Sequence, residues 1–314
     1  TKYLAEGLAR KGHDVLIYTG TGHGGLDELP KQEIHEKVTI ERIRVYVRWP
    51  LTLRGRDEDS TRQKYYEHIV SYKPDVLIVV CTQTWTFDWL ASYLDKISCV
   101  KVFYSHGYSG LMGKYPIAEK LKKRNVLGVY ELWRMKRYYE HVYKIIQKYD
   151  LAIYLLEQDS SYLYAEEHHL TNGMILGNAV EDIFFQRHAY LTDPYKELVF
   201  INVSSYNEGK NQKLILEAFY KAGLKNARLI LIGSQSTDYY RELVVLNQVL
   251  GGKHAFLSSR VSIMCGISRE EIYKIYEEAD VYVSASVKEA MSISLCEAAA
   301  AGLTILATDV GHAA

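Results

Sequence analysis

Short apolar runs alternate with longer mixed stretches almost from one end of the chain to the other. The runs read as strands at Asp14–Thr19, Val38–Arg48, Asp75–Cys81, Cys99–Tyr104, Leu151–Leu156 and Gly173–Leu176. A second set follows at Leu198–Val203, Arg228–Ile232, Val261–Cys265, Val281–Ser284 and Thr304–Ala307. Helical segments lie between them, at Thr1–Lys11, Thr61–Tyr72, Tyr130–Lys148, Lys210–Lys221, Tyr239–Leu250 and Arg269–Glu278, the last opened by a Ser268/Glu271 capping-box spacing. Continuously apolar runs such as Val76–Val80 are expected of parallel strands covered on both faces. Val38–Arg48 alternates instead, which suggests a sheet edge.

This βαβα order predicts an α/β protein of doubly wound parallel sheets, with too many strands for one sheet. The polar stretch Glu181–Tyr195, with Asp193-Pro194, is the expected hinge, giving domains over 1–180 and 181–314. A ligand is then expected in the cleft between them, at the carboxyl ends of the strands. The chain opens on a helical pattern without Met and stops just after an apolar strand, so both ends read as cut.

Composition narrows the class. With 48% apolar and 24% charged residues in 314, the chain is that of a soluble globular enzyme and not a disordered one. Lys and Arg (38) balance Asp and Glu (38), so no global field draws it to nucleic acid. No apolar run approaches the roughly 18 residues that cross a bilayer. Tyr supplies 27 of the aromatic residues against 7 Phe and 4 Trp, which predicts half-wet clefts or interfaces. Cys81, Cys99, Cys265 and Cys296 lack CxxC spacing and lie in or beside apolar runs, as buried reduced thiols of a cytosolic protein do.

Several motifs carry candidate chemistry. Gly20-Thr-Gly22-His-Gly24-Gly25 spells GxGxxG after a strand, but Pro30 and charged residues follow where a dinucleotide site needs an apolar helix, so a loop on the cleft rim is favoured. Asp57-Glu58-Asp59 matches an Asp-x-Asp metal motif; equally, its acids precede a helical segment and complement its dipole, which is the favoured reading. The sequon Asn202-Val203-Ser204 falls in an expected buried strand and is read as incidental. Lys210, at a helix start after a strand, is well placed for phosphate. In Lys288–Gly302, Glu289 falls in a loop at a strand's carboxyl end. Ala290, Met291 and Ser292 would present backbone N–H groups at the next helix start, and Glu297 lies within that helix, where a carboxylate can accept two ribose hydroxyls.

Taken together these segments resemble the retaining glycosyltransferases of family 4, which have the GT-B fold of two Rossmann-like domains facing across a cleft. Leu4–Thr19 is similar to that family's first helix and second strand, Val102–Gly107 to the strand-end His of its N-terminal domain, and Leu176–Glu181 to its Asn-Gly-Val-Asp junction. Ile232-Gly233, Ala279-Asp280-Val281 and Ala307–Gly311 fit in order, and Glu289 with Glu297 supplies the Glu-x7-Glu signature. The resemblance implies that Lys210 contacts the donor diphosphate and that Glu297 holds the nucleotide ribose. It implies that Glu289 receives hydroxyls of the transferred sugar, that the backbone at Ala290, Met291 and Ser292 approaches sugar and phosphate, and that His106 faces the reacting centre; alone, His106 would read as a core histidine. Ser204-Ser205 stands where the family has Gly-Arg, placing Ser205 in the donor site with one cation fewer, and Ala290 and Ser292 replace the usual glycines.

The implied activity is transfer of a hexose from a UDP- or GDP-sugar to an acceptor hydroxyl in polysaccharide or glycolipid synthesis, with no cofactor and no metal. A non-catalytic sugar-nucleotide-binding subunit, or a GT-B-type epimerase or phosphorylase, is the alternative. Residues 107–148 carry ten Lys or Arg against three Glu, interleaved with Tyr and Trp133. That suits either a solvated helix or an anionic membrane surface presenting a lipid-linked acceptor on the cytoplasmic leaflet.

Overall fold

The structure, a computed structural model, describes residues 2–20, 29–43, 45, 58–107, 126–186, 197–253 and 255–311. The chain divides into two compact units, Thr1–Ile175 and Leu176–Ala314, just ahead of the boundary expected at 180/181. In the first unit, α1 (Lys2–Arg10) precedes β1 (Val15–Gly20), β2 (Gln32–His35) and β3 (Val38–Ile43). Then follow α2 (Glu58–Tyr72), β4 (Val76–Val80), α3 (Trp85–Leu90), β5 (Val100–Tyr104), α4 (Val126–Ile146), β6 (Leu151–Tyr154), α5 (Ser160–Glu167) and β7 (Gly173–Ile175). β4-β5-β6-β7 form one parallel sheet and β1-β3-β2 another, with β2 antiparallel. The alternating segment is therefore no edge: β3 is the middle strand, and its alternation puts Val38 and Ile40 against Ala5 and Ala9 of α1. Val76 and Ile78, expected to be covered, are 50% and 38% exposed, because β4 pairs only with β5 among the described residues.

In the second unit the order is β8 (Leu198–Val203), α6 (Gln212–Ala222), β9 (Ala227–Gly233), α7 (Asp238–Lys253), α8 (Ala255–Ser258) and β10 (Val261–Cys265). α9 (Arg269–Glu278), β11 (Val281–Ser284), α10 (Ile293–Ala300) and β12 (Thr304–Ala307) complete it. All five strands are parallel, in the order β10-β9-β8-β11-β12. β9 meets the expectation of a strand covered on both faces: Leu229 and Leu231 pack with Leu216 and Phe219, while Ile230 and Ile232 pack with Tyr276 and Tyr282. Ser268 and Glu271 form the capping box at α9, each accepting the other's backbone N–H. Of the expected hinge, 181–186 belongs to this unit: Asp182–Phe185 makes a 3-10 turn whose Phe184 is buried in the core. Its remainder, 187–195, lies outside the described residues.

Two compositional expectations change. Tyrosines make core: Tyr154, Tyr276 and Tyr282 are among the largest fully buried side chains. Burial is tolerable where the hydroxyl finds a partner. Tyr276 donates to the Ser294 carbonyl (3.0 Å) and Tyr164 to that of Tyr139. The four thiols are free but half-buried, not sequestered. No helix among the described residues is long and apolar enough to cross a membrane.

A buried acid lies in the aromatic core of the first unit. Asp88, in the first turn of α3, is buried, and it accepts a hydrogen bond from the Tyr138 hydroxyl of α4 at 2.7 Å. Desolvation pushes its carboxyl up to about 6, against the hydrogen bond from Tyr138. The folded state thus holds a proton that the unfolded chain has lost, and stability falls as pH rises from about 4 to 6. At ~1.4 kcal/mol per unit the loss is roughly 3 kcal/mol. Asp88→Asn cannot ionise and keeps an acceptor for Tyr138. Its stability relative to the wild type should therefore climb by about that amount between pH 4 and pH 7. Urea unfolding across that range measures it, and parallel pH profiles for the two proteins would contradict it.

Candidate active site

β8 lies at the centre of the second sheet, and the chain proceeds from it to β9 and β10 on one side, then to β11 and β12 on the other. Where the order reverses, the loops after β8 and β11 part, leaving the crevice in which α/β sheets bind ligands. Those two loops, 204–211 and 285–292, hold most of the residues singled out above.

The first loop is pinned from below. Tyr206 is buried, with its hydroxyl within 2.9 Å of the Leu231 carbonyl and 2.8 Å of that of Met264. Its ring crosses Gly233, where any Cβ would sit 2.3 Å from it, so the glycine admits the anchor. Gln212, fully buried, donates to the Ser204 hydroxyl (2.8 Å) and the Ser205 carbonyl (3.0 Å). Ser205 itself is exposed, and its hydroxyl accepts the Asn207 amide (2.9 Å). Lys210 does not open the helix as expected. It closes a 3-10 turn, Glu208–Lys210, whose cap is the Asn207 side chain. Asn211 then turns left-handed (φ 52°) and α6 starts at Gln212, which leaves Lys210 on the loop.

The second loop is tied to the first by the Val287 N–H donating to the Gly209 carbonyl (2.9 Å). The Thr308 hydroxyl holds the Ser286 carbonyl (2.7 Å), and the Ser286 hydroxyl donates to Glu289 Oε1 (2.8 Å). Lys210 Nζ meets that same oxygen, so the two residues assigned to phosphate and sugar form an ion pair. Ala290 and Met291 follow, and the Asn178 amide fixes the Met291 carbonyl (3.0 Å). Ser292 caps α10, its hydroxyl accepting the Leu295 N–H.

Glu297, one turn into α10, is 1% exposed. Burial pushes its carboxyl up from the ordinary range, and the guanidinium of Arg269 pulls against that shift. Arg269 Nη2 donates to Glu297 Oε1 and, at 2.8 Å, to Glu181 Oε2, which also accepts from Nε (3.0 Å). Sequence reasoning missed Arg269. A carboxylate buried among small apolar residues calls for a polar partner, but nothing in the spacing says that it is an arginine at the start of α9.

His106 belongs to the first unit, directly after β5. It is half-buried, its ring lies 4.7 Å from that of Tyr104, and burial lowers its pKa. Of the motifs set aside, 21–25 and Asp57 lie outside the described residues. Glu58 and Asp59 open α2. Asn202 is buried, its amide donating to the Val283 carbonyl (2.8 Å), which leaves no place for a glycan.

Residues 1–153 match the profile described as Glycosyltransferase Family 4, and residues 186–314 that described as Glycosyl transferases group 1. The chain is a GT-B glycosyltransferase of the family 4 type. It is 24% identical to an uncharacterised glycosyltransferase of Methanocaldococcus jannaschii over 99% of this chain and 75% of that protein. Its fold is that of sucrose-phosphate synthase from Thermosynechococcus elongatus, with a TM-score of 0.68 at 18% identity, covering 99% of this chain and 75% of the other. HepE of Anabaena, in complex with UDP and glucose, gives 0.67 at 14% identity, covering 99% and 77%. Starch synthase IV of Arabidopsis thaliana, bound to ADP and acarbose, gives 0.64 at 14%, covering 98% and 78%.

In this glycosyltransferase the loop after β12 closes on the Glu289 loop. Gly311 is left-handed (φ 64°), and a Cβ there would come within 2.6 Å of the Ala290 carbonyl. Gly311→Ala should lose roughly 1–3 kcal/mol from backbone strain, with the carbonyl clash displacing Ala290. Denaturant unfolding gives the first quantity, and a wild-type midpoint in the variant would show that the contact is dispensable.

Proposed function

We propose that this glycosyltransferase moves a hexose from a nucleoside diphosphate sugar to an acceptor hydroxyl, with retention at the anomeric carbon, in the making of a polysaccharide or glycolipid. The observation that carries the reading is the contact between Lys210 and Glu289 at the point where the strand order reverses. HepE in complex with UDP and glucose, and a starch synthase bound to ADP, support a nucleotide sugar as the donor class. Lys210 and the N–H groups of 290–292 meet the negative charge that grows on the departing diphosphate, without calling on a metal. Glu289, released from Lys210 by the incoming phosphate, accepts hydroxyls of the sugar, and Glu297 accepts those of the ribose. Ser205 lines the donor loop, and His106, whose pKa burial lowers, is assigned to the reacting centre.

Removing one such charge-stabilising donor costs about 2.7–4 kcal/mol in barrier, or ~10²–10³ in rate. Lys210→Ala and Glu289→Ala should each lose at least that much turnover while remaining folded, read by product formation from UDP- and GDP-sugars. Near-full turnover of Lys210→Ala would end the assignment. Donor binding without any turnover in the wild type would favour a non-catalytic subunit.

A second observation bears on the acceptor. On α4, Tyr130 (54% exposed) and Trp133 (50%) stack at 6.1 Å, with Arg134 5.8 Å over the Tyr130 ring and Arg137 5.3 Å over that of Trp133. Exposed aromatic rings capped by guanidinium groups suit an anionic lipid surface, at ~1 kcal/mol per cation near it. We therefore propose a lipid-linked acceptor reached from the membrane surface. The protein should float with vesicles containing anionic lipid at low salt, and Trp133→Ala combined with Arg137→Ala should abolish flotation. No flotation of the wild type removes this part of the reading.

A further inference from the structure

The cluster around Glu297 holds one cation against two carboxylates, Glu181 and Glu297. A buried ion pair is weak evidence of stabilisation, since apolar residues of similar volume often serve as well. α10 reads ISLCEAAA, so Glu297 interrupts a surface of small and apolar residues that would pack without it. Arg269 is held from several sides. It donates twice to Glu181, its guanidinium lies 5.0 Å over the Phe184 ring, and its residue opens α9 behind the capping box of Ser268. A third donor, on the same Nη2, reaches Glu297 Oε1. A carboxylate has about four acceptor positions, so this bond leaves capacity on Glu297. The excess negative charge of the cluster suits neutral hydroxyl donors and disfavours a further anion.

Glu181 explains the anchoring. It occupies the position before the 3-10 turn Asp182–Phe185 but makes no side-chain cap there, and its carboxylate extends to Arg269 instead. Three residues earlier, Asn178 fixes the Met291 carbonyl. One short segment, 178–184, thus braces both the loop beside Glu289 and the guanidinium that holds Glu297.

We infer that Arg269 is a positioning residue for nucleoside recognition: anchored by Glu181, it aims the Glu297 carboxylate at the hydroxyls of a ribose. The inference rests on the proposed role of Glu297, and its test separates the two. Binding of UDP, GDP and ADP, each beside its 2′,3′-dideoxy counterpart, is measured by calorimetry for the wild type, Glu297→Gln, Arg269→Met, Arg269→Lys and Glu181→Gln. For the nucleotide that binds, the wild type should prefer the ribo form at least tenfold, and Glu297→Gln should erase that preference. Arg269→Met should erase it as well, while its affinity for the dideoxy form stays within about threefold of wild type. Arg269→Lys, which cannot fork to two carboxylates, and Glu181→Gln should fall between. Equal loss of both forms in Arg269→Met would mean a structural role only, and an intact preference would mean none; either overturns the inference. If Glu297→Gln keeps the preference, or no nucleotide binds, the ribose assignment itself fails and the inference falls with it. Should Arg269→Met not fold, the same ratio in Arg269→Lys and Glu181→Gln decides.

Discussion

Lys210 and Glu289 lie 79 positions apart in the chain and meet because a parallel sheet reverses its order between β8 and β11. That reversal is the constraint on which the candidate site depends. Parallel strands deliver their loops to one edge, and the reversal parts two neighbouring loops so that side chains enter from both. Everything nearby serves to hold the two loops at that distance. Tyr206 roots one loop in the sheet through the space that Gly233 leaves, Thr308 and Ser286 stiffen the other, and the Val287 to Gly209 hydrogen bond joins them. None of these contacts is itself chemistry. Together they spare the ion pair the entropy of ordering two long side chains on free loops.

The strand framework was legible in the chain because parallel strands leave a strong mark: each apolar run that reads as a strand contains one, although of Val38–Arg48 only Val38–Ile43 is strand, and 44 and 46–48 lie outside the described residues. What failed was inference about neighbours. Val38–Ile43 looked like an edge and is a centre, because alternation reports how one face is covered and is silent about pairing. β2 escaped notice since Gln32–His35 carries one apolar residue and gains its order from β3 alone. α3 and α5 are short, and their caps at Thr84 and Asp159 are visible only when the fold is known.

Within the site, residues on a shared motif were legible and their partners were not. Glu289 and Glu297 stand out by spacing and Lys210 by its place after a strand. Arg269 looks from the sequence like one of several charges at the start of α9, beside Glu270 and Glu271. Its significance comes from tertiary packing, which sets the start of α9 against the 3-10 turn and α10. Tyrosine misled for a related reason. Composition records that the rings are many, while which of them are buried is settled by packing: Tyr276 is buried with its hydroxyl bonded and Tyr154 with its hydroxyl unbonded among the described residues.

The charge balance of the second unit then bears on how a donor is told from its product. Arg269 is committed to two carboxylates, so it does not supply the cation that the family resemblance expects at the position of Ser205. Lys210 is the cation that joins the two loops, and it is paired with Glu289. On the proposed roles, a ligand bringing only phosphate would take Lys210 away and leave the part-buried Glu289 with the Ser286 hydroxyl but without its counter-charge. A ligand bringing phosphate and a sugar repays both sides, since the sugar's hydroxyls take the place of the ammonium at Glu289. With the roles proposed for Lys210 and Glu289, this ion pair would favour the whole sugar nucleotide over the nucleoside diphosphate that transfer leaves behind. On the proposed reaction that preference works in the productive direction, because the bond that breaks removes the group that was satisfying Glu289. Lys210 and Glu289 are then free to re-form their pair as the diphosphate departs.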